Sequence, residues 1–571
     1  MDQESLDILR HSASHVLAHA VRDLFPNAKL GIGPAIKDGF YYDFDLDVSL
    51  TDADLEKIEK RMKEIIKAGY FFEQSEMPKK EALAFFKDRG EIYKCELIEA
   101  LEDDKVSIYK SGDFIDLCKG PHIESTKQIK AFKLLHVAGA YWRGDEKNKM
   151  LSRIYATAFE TKDELKQHLF MLEEAKKRDH RLLGKQLDLF SLHEEAPGVP
   201  FFHPKGLAIY NKLIEFWRKE HVKEGYVEVK TPLIMRDTLW RRSGHFDHYQ
   251  DNMYFTEIDG GSFAVKPMNC PGGLLIYRNS QHSYREFPIK MAELGQVHRH
   301  ERSGVLHGLF RVNSFIIDDA HIFCLEDQIA DEVYKAIKLI LRIYKTFGFD
   351  NVSMELSTRP EKAMGSDEMW EKATNSLQQA LEDNKIDFKI NEGDGAFYGP
   401  KIDFHIKDSI GRSWQCGTIQ LDFSMPERFE LEYVGQDGAM HRPVMIHRAA
   451  FGSIERFFGI LIEHYAGAFP LWLAPVQVKV MAISEKFGDY ARQVKEKLVD
   501  NGIKAELDLR NEKIGYKIRE AEKLKVNYMI IIGEQEVNTN NISVRAHGRE
   551  DLGTMDIEFF IGKLNQELAV I

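Results

Sequence analysis

Two interruptions in the hydrophobic pattern divide the chain and limit the folds open to it. Residues 197–206 read Pro-Gly-Val-Pro-Phe-Phe-His-Pro-Lys-Gly, which ends periodic structure more strongly than any other segment. After Pro475 the pattern changes again, and short apolar runs alternate with helical ones to the end of the chain. At roughly 100 to 200 residues per domain, a chain of 571 residues has several domains, so a single small binding module is excluded.

These patterns predict a multidomain α+β and α/β protein. Residues 5–25 place apolar side chains on one helix face, and a second amphipathic helix and short strands follow. From residue 161 the sequence is charged and helical without strand patterns, and several β-rich runs later predict a long, mostly antiparallel sheet. The predicted parts are an α+β domain at 1–160, a linker helix at 161–195, an antiparallel-sheet domain at 196–474 and an α/β domain at 475–571.

Charge and cysteine content indicate where such a chain works. The net charge of −13 argues at first against a nucleic-acid partner, but total charge averages over faces and an RNA needs only local positive surface. The acidic N-terminus differs from a secretory signal, and no run of about 20 apolar residues is present. The five cysteines are odd in number and never spaced C-x-x-C. We therefore expect a cytoplasmic protein without a membrane segment.

Two segments have the residue types of a nucleotide site, although P-loop and G-x-G-x-x-G motifs are absent. Arg299 and Glu301 are two residues apart at the end of a predicted strand and so share a face, and the next strand carries Phe315. Ser453 and Arg456 begin an amphipathic helix, whose N-terminus favours anions. Each fragment alone is more often a surface ion pair.

Together these segments resemble motifs 2 and 3 of class II aminoacyl-tRNA synthetases, and Pro232 matches the motif 1 proline found at their dimer interface. Five further segments, in order along the chain, are similar to signatures of the threonyl-tRNA synthetase family: 267–272 (PMNCPG), 318–324 (DDAHIFC), 398–401 (YGPK), 414–420 (WQCGTIQ) and 445–449 (MIHRA). The resemblance implies a homodimeric ligase that activates L-threonine with ATP and transfers it to tRNA(Thr). Longer family members begin with a ubiquitin-like domain, which we do not expect here.

A metal site is implied by the resemblance alone. Cys270, His321 and His447 are 51 and 126 residues apart, and such residues are usually buried packing residues. They match the family's three zinc ligands, one thiolate and two imidazoles, which leave a tetrahedral zinc an open site. The family fills it with the amino group and hydroxyl of threonine, and Asp319 accepts from that hydroxyl. The remaining residues implied on the amino-acid side are Met268, Tyr398, Lys401 and Gln420.

The resemblance also assigns the reaction. The threonine carboxylate attacks the α-phosphate of ATP, so catalysis is positioning and charge stabilisation, with Mg²⁺ on the phosphates. His245 matches a proposed proton relay, although it would otherwise be read as part of a polar loop. The implied catalytic residues are Arg299, Arg456, His245 and Lys401, and the implied ATP-binding residues are Arg299, Glu301, Arg311, Phe315, Gln415, Ser453 and Arg456.

Serine differs from threonine by one methyl group, worth only about 1–3 kcal/mol in discrimination, so a second site is needed. His15-x-x-x-His19 and Cys118-x-x-x-His122 would be read as zinc ligands from residue types alone. They resemble instead the editing pocket of bacterial threonyl-tRNA synthetases, where four such residues position water to hydrolyse seryl-tRNA. Metal remains an alternative, because the same quartet binds zinc in alanyl-tRNA synthetases.

The C-terminal segment resembles the family's anticodon-binding domain, with Asn511, Arg519, Glu536 and Arg545 at base-reading positions. The sequence also departs from the family pattern around motif 2 and the active-site floor, at Gly273, His300, Arg302, Asn313, Ser314 and Ile317. An RNA-binding paralogue that has lost ligase activity is therefore a second hypothesis. A synthetase for another amino acid is a third, which the zinc ligand set does not favour.

Overall fold

The computed structural model describes residues 2–548 and 550–569, except for the side chain of Ser303. The chain forms two compact units, Met1–Glu173 and Glu174–Ile571. Among the described residues, no helix has both the length and the apolar character that crossing a membrane requires.

The first unit packs two long helices on an antiparallel sheet. Apolar side chains of the first two helices, such as Leu9, Leu17 and Ile58, share one core with Phe40 and Ile154 of the sheet. The sheet has the order β1-β3-β8-β7 with β2 beside β3, and β4-β5-β6 form a second sheet. Its helices are α1 (Gln3–Leu24), α2 (Asp52–Ala68), α3 (Lys79–Asp88), α4 (Ile92–Glu99) and α5 (Lys162–Arg178), which continues past the unit boundary. Its strands are β1 (Lys29–Leu30), β2 (Ala35–Ile36), β3 (Gly39–Asp45), β4 (Glu73–Pro78), β5 (Lys105–Ser111), β6 (Phe114–Leu117), β7 (Ala131–Tyr141) and β8 (Met150–Phe159).

The predicted linker helix is broken in the structure. It ends at Arg178, and a new helix begins at His180 because the Asp179 side chain accepts the backbone N–H of Arg181 at 2.8 Å. The region then continues as the strand Phe190–Leu192 rather than as helix.

The second unit contains a large sheet of eight strands in the order β11-β16-β17-β24-β21-β20-β18-β19. All pairs are antiparallel except β11 with β16 and β18 with β19. Its helices are α6 (His180–Gln186), α7 (Pro204–Lys223), α8 (Asp237–Arg242), α9 (His245–Tyr249), α10 (Cys270–Arg278), α11 (Ile329–Thr346), α12 (Asp367–Asp383), α13 (Ser424–Arg428) and α14 (Ile454–His464). Its strands are β9 (Phe190–Leu192), β10 (Pro200–Phe202), β11 (Val227–Glu228), β12 (Ile234–Arg236), β13 (Tyr254–Ile258), β14 (Gly261–Val265), β15 (His282–Ser283), β16 (Ile289–His298), β17 (Ser314–Cys324), β18 (Val352–Ser357), β19 (Phe388–Asn391), β20 (Lys401–Lys407), β21 (Ser413–Asp422), β22 (Tyr433–Val434), β23 (Met440–His441) and β24 (Val444–Ser453).

The C-terminal part of this unit has the predicted α/β order. Its sheet runs β26-β25-β27-β28-β29, with the first three strands parallel. The elements are β25 (Val478–Ala482), α15 (Gly488–Asp500), β26 (Ala505–Asp508), α16 (Ile514–Lys523), β27 (Tyr528–Ile532), α17 (Glu534–Thr539), β28 (Ile542–Ala546), β29 (Asp551–Met555) and α18 (Ile557–Leu568). The predicted fold class is confirmed, whereas the predicted domain boundaries stay predictions.

The large sheet positions the site because its two faces have different neighbours. Along β17, Ala320 and Ile322 point into the main core with α11 and α14. Successive strand residues alternate between faces, so Asp319 and His321 point the other way.

Candidate active site

Three metal-ligating side chains meet on this second face. His321 of β17 and His447 of β24 are direct partners in the antiparallel register. Cys270 is the first residue of α10 and belongs to the apolar cluster on the same side of the sheet. All three are buried, and their ligand atoms lie within 4.8 Å of one another.

The donor atoms of this group fit a zinc ion. The Nε2–H of His447 donates to Asp422 Oδ2 at 2.9 Å, which leaves Nδ1 as the free lone pair. His447 Nδ1 and His321 Nε2 are both buried and have no hydrogen-bond partner among the described residues. Buried polar atoms without partners are costly, and one thiolate with two imidazoles is a typical zinc ligand set. A cation coordinated by these atoms would remove that cost.

The residues that are expected to bind the substrate amino acid lie around these three ligands. The Tyr398 ring centre is 5.2 Å from that of His447. Gln420 is paired with His447 across β21 and β24 and donates to the Gly399 carbonyl at 3.0 Å. Asp319 Oδ1 is 3.6 Å from His321 Nε2. These residues can therefore contact a small molecule bound beside the three ligands.

Lys401 and His245 are held differently. Lys401 forms an ion pair with Asp403 at 2.7 Å and a longer one with Asp394 at 3.2 Å. His245 is fully buried, with Nδ1 bonded to Ser243 Oγ at 2.8 Å and Nε2 2.9 Å from the Met268 sulfur. Burial, with a smaller contribution from nearby Arg299, lowers the pKa of His245 to about 3, so its imidazole is neutral at pH 7.

A cavity of about 440 Å³ contains most of the predicted ATP-binding residues. The Arg299 guanidinium lies 5.2 Å from the centre of the Phe315 ring. Arg311 and Glu301 form an ion pair at 2.9 Å. Gln415 does not line the cavity, but its carbonyl accepts from Arg456 Nε at 3.3 Å. The cavity is lined by Arg299, Glu301, Phe310, Arg311, Val312, Phe315, Ile317, Cys416, Thr418, Ala449, Gly452, Ser453 and Arg456.

Two buried carboxyl groups hold the start of α14, and sequence reasoning missed their role. Asp318 accepts the backbone N–H groups of residues 450, 451 and 452 at 2.9–3.0 Å. Glu455 accepts from the Tyr210 hydroxyl at 2.8 Å and from the Ile316 N–H at 3.0 Å. Burial raises the pKa of Asp318 to about 6 and that of Glu455 to about 7. Their positions beside the motifs were the available signal.

A second cluster of potential ligands lies in the first unit and corrects one prediction. Cys118 Sγ is 3.3 Å from both His11 Nε2 and His122 Nε2. The His15 ring centre is 4.5 Å from that of His122, and the ligand atoms of all four residues lie within 4.8 Å of one another. His11 therefore occupies the place in the quartet that the sequence analysis gave to His19.

His19 lies one helical turn further along α1. Its ring stacks on Phe114 with the centres 5.2 Å apart, and its Nε2 is 3.2 Å from Asp113 Oδ1. Three histidines spaced by four residues fall on one stripe of a helix, so spacing could not decide which pair faces Cys118.

The surroundings of the quartet keep its imidazoles neutral. Burial lowers the pKa of His15 well below its usual value and that of His122 to about 2, and burial raises the pKa of the Cys118 thiol to about 11. Ser12 Oγ lies 3.0 Å from His122 Nδ1. Asp116 accepts from Tyr42 and pairs with Lys94, both at 2.6 Å. Neutral donors and acceptors of this kind can hold a water molecule or a metal ion.

The four predicted anticodon residues have different environments. Asn511 and Arg519 are exposed. Glu536 is buried and accepts from the Gly533 N–H at 2.8 Å and from the Ser543 hydroxyl at 2.7 Å. Arg545 lies 3.8 Å from Asp551. Asn511 and Arg519 are therefore accessible to a bound RNA from the surface, whereas the Glu536 carboxylate is engaged in contacts within the protein.

Three family models match separate segments of the chain. Residues 254–465 match the class II core domain of the G, H, P, S and T tRNA synthetases, and residues 477–567 match an anticodon-binding domain. Residues 106–155 match the second additional domain of threonyl and alanyl tRNA synthetases.

Relatives of known name agree with these matches. The chain is 62% identical to the threonine–tRNA ligase of Clostridium tetani, over 99% of this chain and 89% of that protein. It is 60% identical to the enzyme of Acetivibrio thermocellus with the same coverage. The crystal structure of the RNA binding domain of threonyl-tRNA synthetase from Cryptosporidium parvum superposes with a TM-score of 0.66 at 42% identity, covering 68% of this chain and 98% of that one. The chain therefore belongs to the threonine–tRNA ligase family, the ATP-using class II synthetases that attach threonine to its tRNA.

Proposed function

We propose that Cys270, His321 and His447 bind one zinc ion per subunit and that this ion selects threonine. The proposal rests on two observations: the three residues meet although they are distant in sequence, and one buried nitrogen of each imidazole has no hydrogen-bond partner in the part of the chain that the structure describes. Held by three protein ligands, zinc would remain open to coordination by both the amino group and the hydroxyl of threonine. Asp319, beside His321, would accept from the hydroxyl. Valine lacks that hydroxyl and leaves the site unsatisfied, so it should be rejected strongly.

In the activation step the chain's own residues act by position and charge. Arg299 and Arg456, which both line the 440 Å³ cavity, would hold the ATP phosphates together with Mg²⁺. The Phe315 ring and the Glu301 carboxylate would hold the adenine, with Arg311, Gln415 and Ser453 completing the site. Residues on the amino-acid side, Met268, Tyr398, Lys401 and Gln420, would orient the threonine carboxylate for attack on the α-phosphate. In the transfer step the tRNA ribose hydroxyl would attack the threonyl carbonyl carbon and AMP would leave, with His245 relaying the proton that the hydroxyl releases.

For the first unit we propose hydrolysis of seryl-tRNA(Thr) by a water molecule held among His11, His15, Cys118 and His122. Neutral imidazoles within 4.8 Å of one another can both donate to and accept from such a water. A zinc site is the second candidate, which the four nitrogen and sulfur donors favour. Metal content distinguishes the two, since one zinc per subunit supports water and two support metal.

We further propose that the chain divides into four parts, with boundaries at residues 160, 195 and 474. We also propose that it charges tRNA in the cytoplasm. The residues proposed to read the anticodon are Asn511, Arg519, Glu536 and Arg545. A homodimer is supported by exposed apolar side chains in residues 222–234, the segment that contains the motif 1 proline Pro232. Large apolar side chains there are 38–74% exposed: Val222, Val227, Leu233 and Ile234.

Threonine-dependent ATP–pyrophosphate exchange, with zinc measured in the same preparation, tests the central proposal. We expect exchange with threonine, exchange that is about 10- to 200-fold less efficient with serine, and almost none with valine. If no amino acid supports exchange, the RNA-binding paralogue is favoured instead. Exchange without zinc would contradict the role of the three ligands.

A further inference from the structure

His180, the first residue of α6, is completely buried and uses both ring nitrogens. Its Nε2 accepts the backbone N–H of Leu309 at 2.9 Å. A backbone N–H can only donate, so Nε2 carries the lone pair and the ring proton is on Nδ1. Nδ1 donates to Glu463 Oε1 at 2.7 Å. The imidazole therefore joins two segments that are far apart in the sequence.

The first of these segments is a wall of the ATP cavity. Phe310, next to Leu309, lines the cavity and packs on His180 with ring centres 4.0 Å apart. The Phe310 carbonyl accepts from Arg456 Nη1 at 3.3 Å. Gly308 has a φ of +49°, and a Cβ there would lie 2.1 Å from His180 Nε2, so the loop backbone approaches the ring closely.

The second segment is the helix that carries Arg456. Glu463 lies near the C-terminal end of α14, and Arg456 is in its first turn. Glu463 also accepts the backbone N–H of His180 at 3.0 Å and pairs with Arg412 at 2.6 Å. These contacts make a closed connection from Glu463 through His180 to the loop, and from the loop through Phe310 to Arg456.

We propose that His180 is a positioning residue for ATP, which fixes the loop at Leu309 and Phe310 relative to α14 and thereby holds the Arg456 guanidinium in the cavity. The inference rests on the proposed assignment of this cavity to ATP. The threonine-side residues are held by other contacts, so loss of His180 should affect ATP more than threonine. Displacement of a positioning group by about 1 Å can cost a factor of about 100 in rate.

ATP–pyrophosphate exchange by the full-length chain tests the proposal through two side chains of different reach. In His180→Gln the amide oxygen can reach the Nε2 position and accept from Leu309, whereas His180→Asn can reach only the Nδ1 position facing Glu463. We expect His180→Ala and His180→Asn to raise the KM for ATP by about tenfold or more, with the KM for threonine changed less than about twofold. His180→Gln should recover most of the ATP affinity. If His180→Ala does not fold, the Gln and Asn pair decides.

Two controls separate this inference from the site assignment and from general destabilisation. Arg456→Ala should raise the KM for ATP, and if it does not, the proposed ATP site itself is wrong. His221→Ala removes another buried imidazole, which is bonded to Arg448 rather than to the loop. It should leave the ratio of the KM for ATP to the KM for threonine unchanged. The positioning role is overturned if Arg456→Ala acts on ATP while the His180 variants do not. Equal increases in both KM values, or the same ATP-selective effect in His221→Ala, would also overturn it.

Discussion

His321 and His447 lie directly opposite each other on β17 and β24, with ring centres 5.1 Å apart and ring planes at 89°. Both strands are interior to the eight-stranded sheet, so the hydrogen-bond register sets the separation of the two imidazoles. Cys270 comes from a helix outside the sheet and supplies the third donor. The sheet therefore fixes the relative position of the two histidines, and the third donor depends on the placement of α10.

Replacing Cys270 by Ala should remove zinc and threonine activation together, because two imidazoles alone bind zinc weakly. Zinc per subunit and threonine-dependent exchange measure the two effects. Cys324→Ala is a matched control, since Cys324 is also buried but belongs to the main core on the other face of β17. It should keep both properties, and an active, zinc-free Cys270→Ala protein would refute the site.

Asp422→Asn should weaken zinc binding by about 10- to 100-fold without removing a ligand, as expected for a group that orients one. The Oδ2 atom of Asp422 accepts from His447 Nε2, while Oδ1 accepts the N–H groups of Ser424 and Met425. Asn preserves the second role and loses the first. Competition with a chelator gives the affinity, and Asp408→Asn, another buried carboxylate, should show no change.

The sequence patterns were sufficient for the fold class, because breaks at 197–206 and at Pro475 separate segments of different period. They were not sufficient for the proposed zinc site. Cys270, His321 and His447 meet only through strand register and the placement of α10, which no local spacing encodes. Family resemblance supplied those three residues. The contacts of Asp318, Glu455 and His180 stayed hidden for the same reason, since their partners come from distant segments.

The error at His19 has a different cause. His11, His15 and His19 all satisfy an i, i+4 spacing on α1, so two overlapping pairs were possible. The loop that carries Cys118 and His122 selects the first pair in the folded unit. An i, i+4 spacing defines a stripe on the helix but not the position along it.

That difference predicts opposite results for two alanine variants. His11→Ala should reduce deacylation of seryl-tRNA(Thr) by about 100-fold or more, because it removes a group next to the positioned water. His19→Ala should retain deacylation within a few-fold, although it loses the stacking on Phe114. Deacylation of preformed seryl-tRNA measures both, and threonylation by each variant should remain unchanged. Loss of activity in His19→Ala alone would restore the original assignment.

Glu455→Gln should make the protein more stable at neutral pH but not in acid. Burial raises the pKa of Glu455 from 4.5 to about 7. The stability that the protonated side chain contributes is therefore fully present below the unfolded-state pKa of 4.5 and is lost as the pH rises through the folded-state pKa of about 7. Glutamine can accept the Ile316 N–H with its amide oxygen and donate its amide N–H to the Tyr210 hydroxyl, which turns to accept, so both contacts are kept without a charge to bury. The advantage of the variant should grow from near zero at about pH 4 to a value on the order of 3 kcal/mol at about pH 8. Thermal unfolding midpoints across this range measure it, with the exposed Glu432→Gln as the control. A constant difference between Glu455→Gln and the parent across the range would show that Glu455 has the same pKa in the folded and unfolded states, so that burial does not raise it.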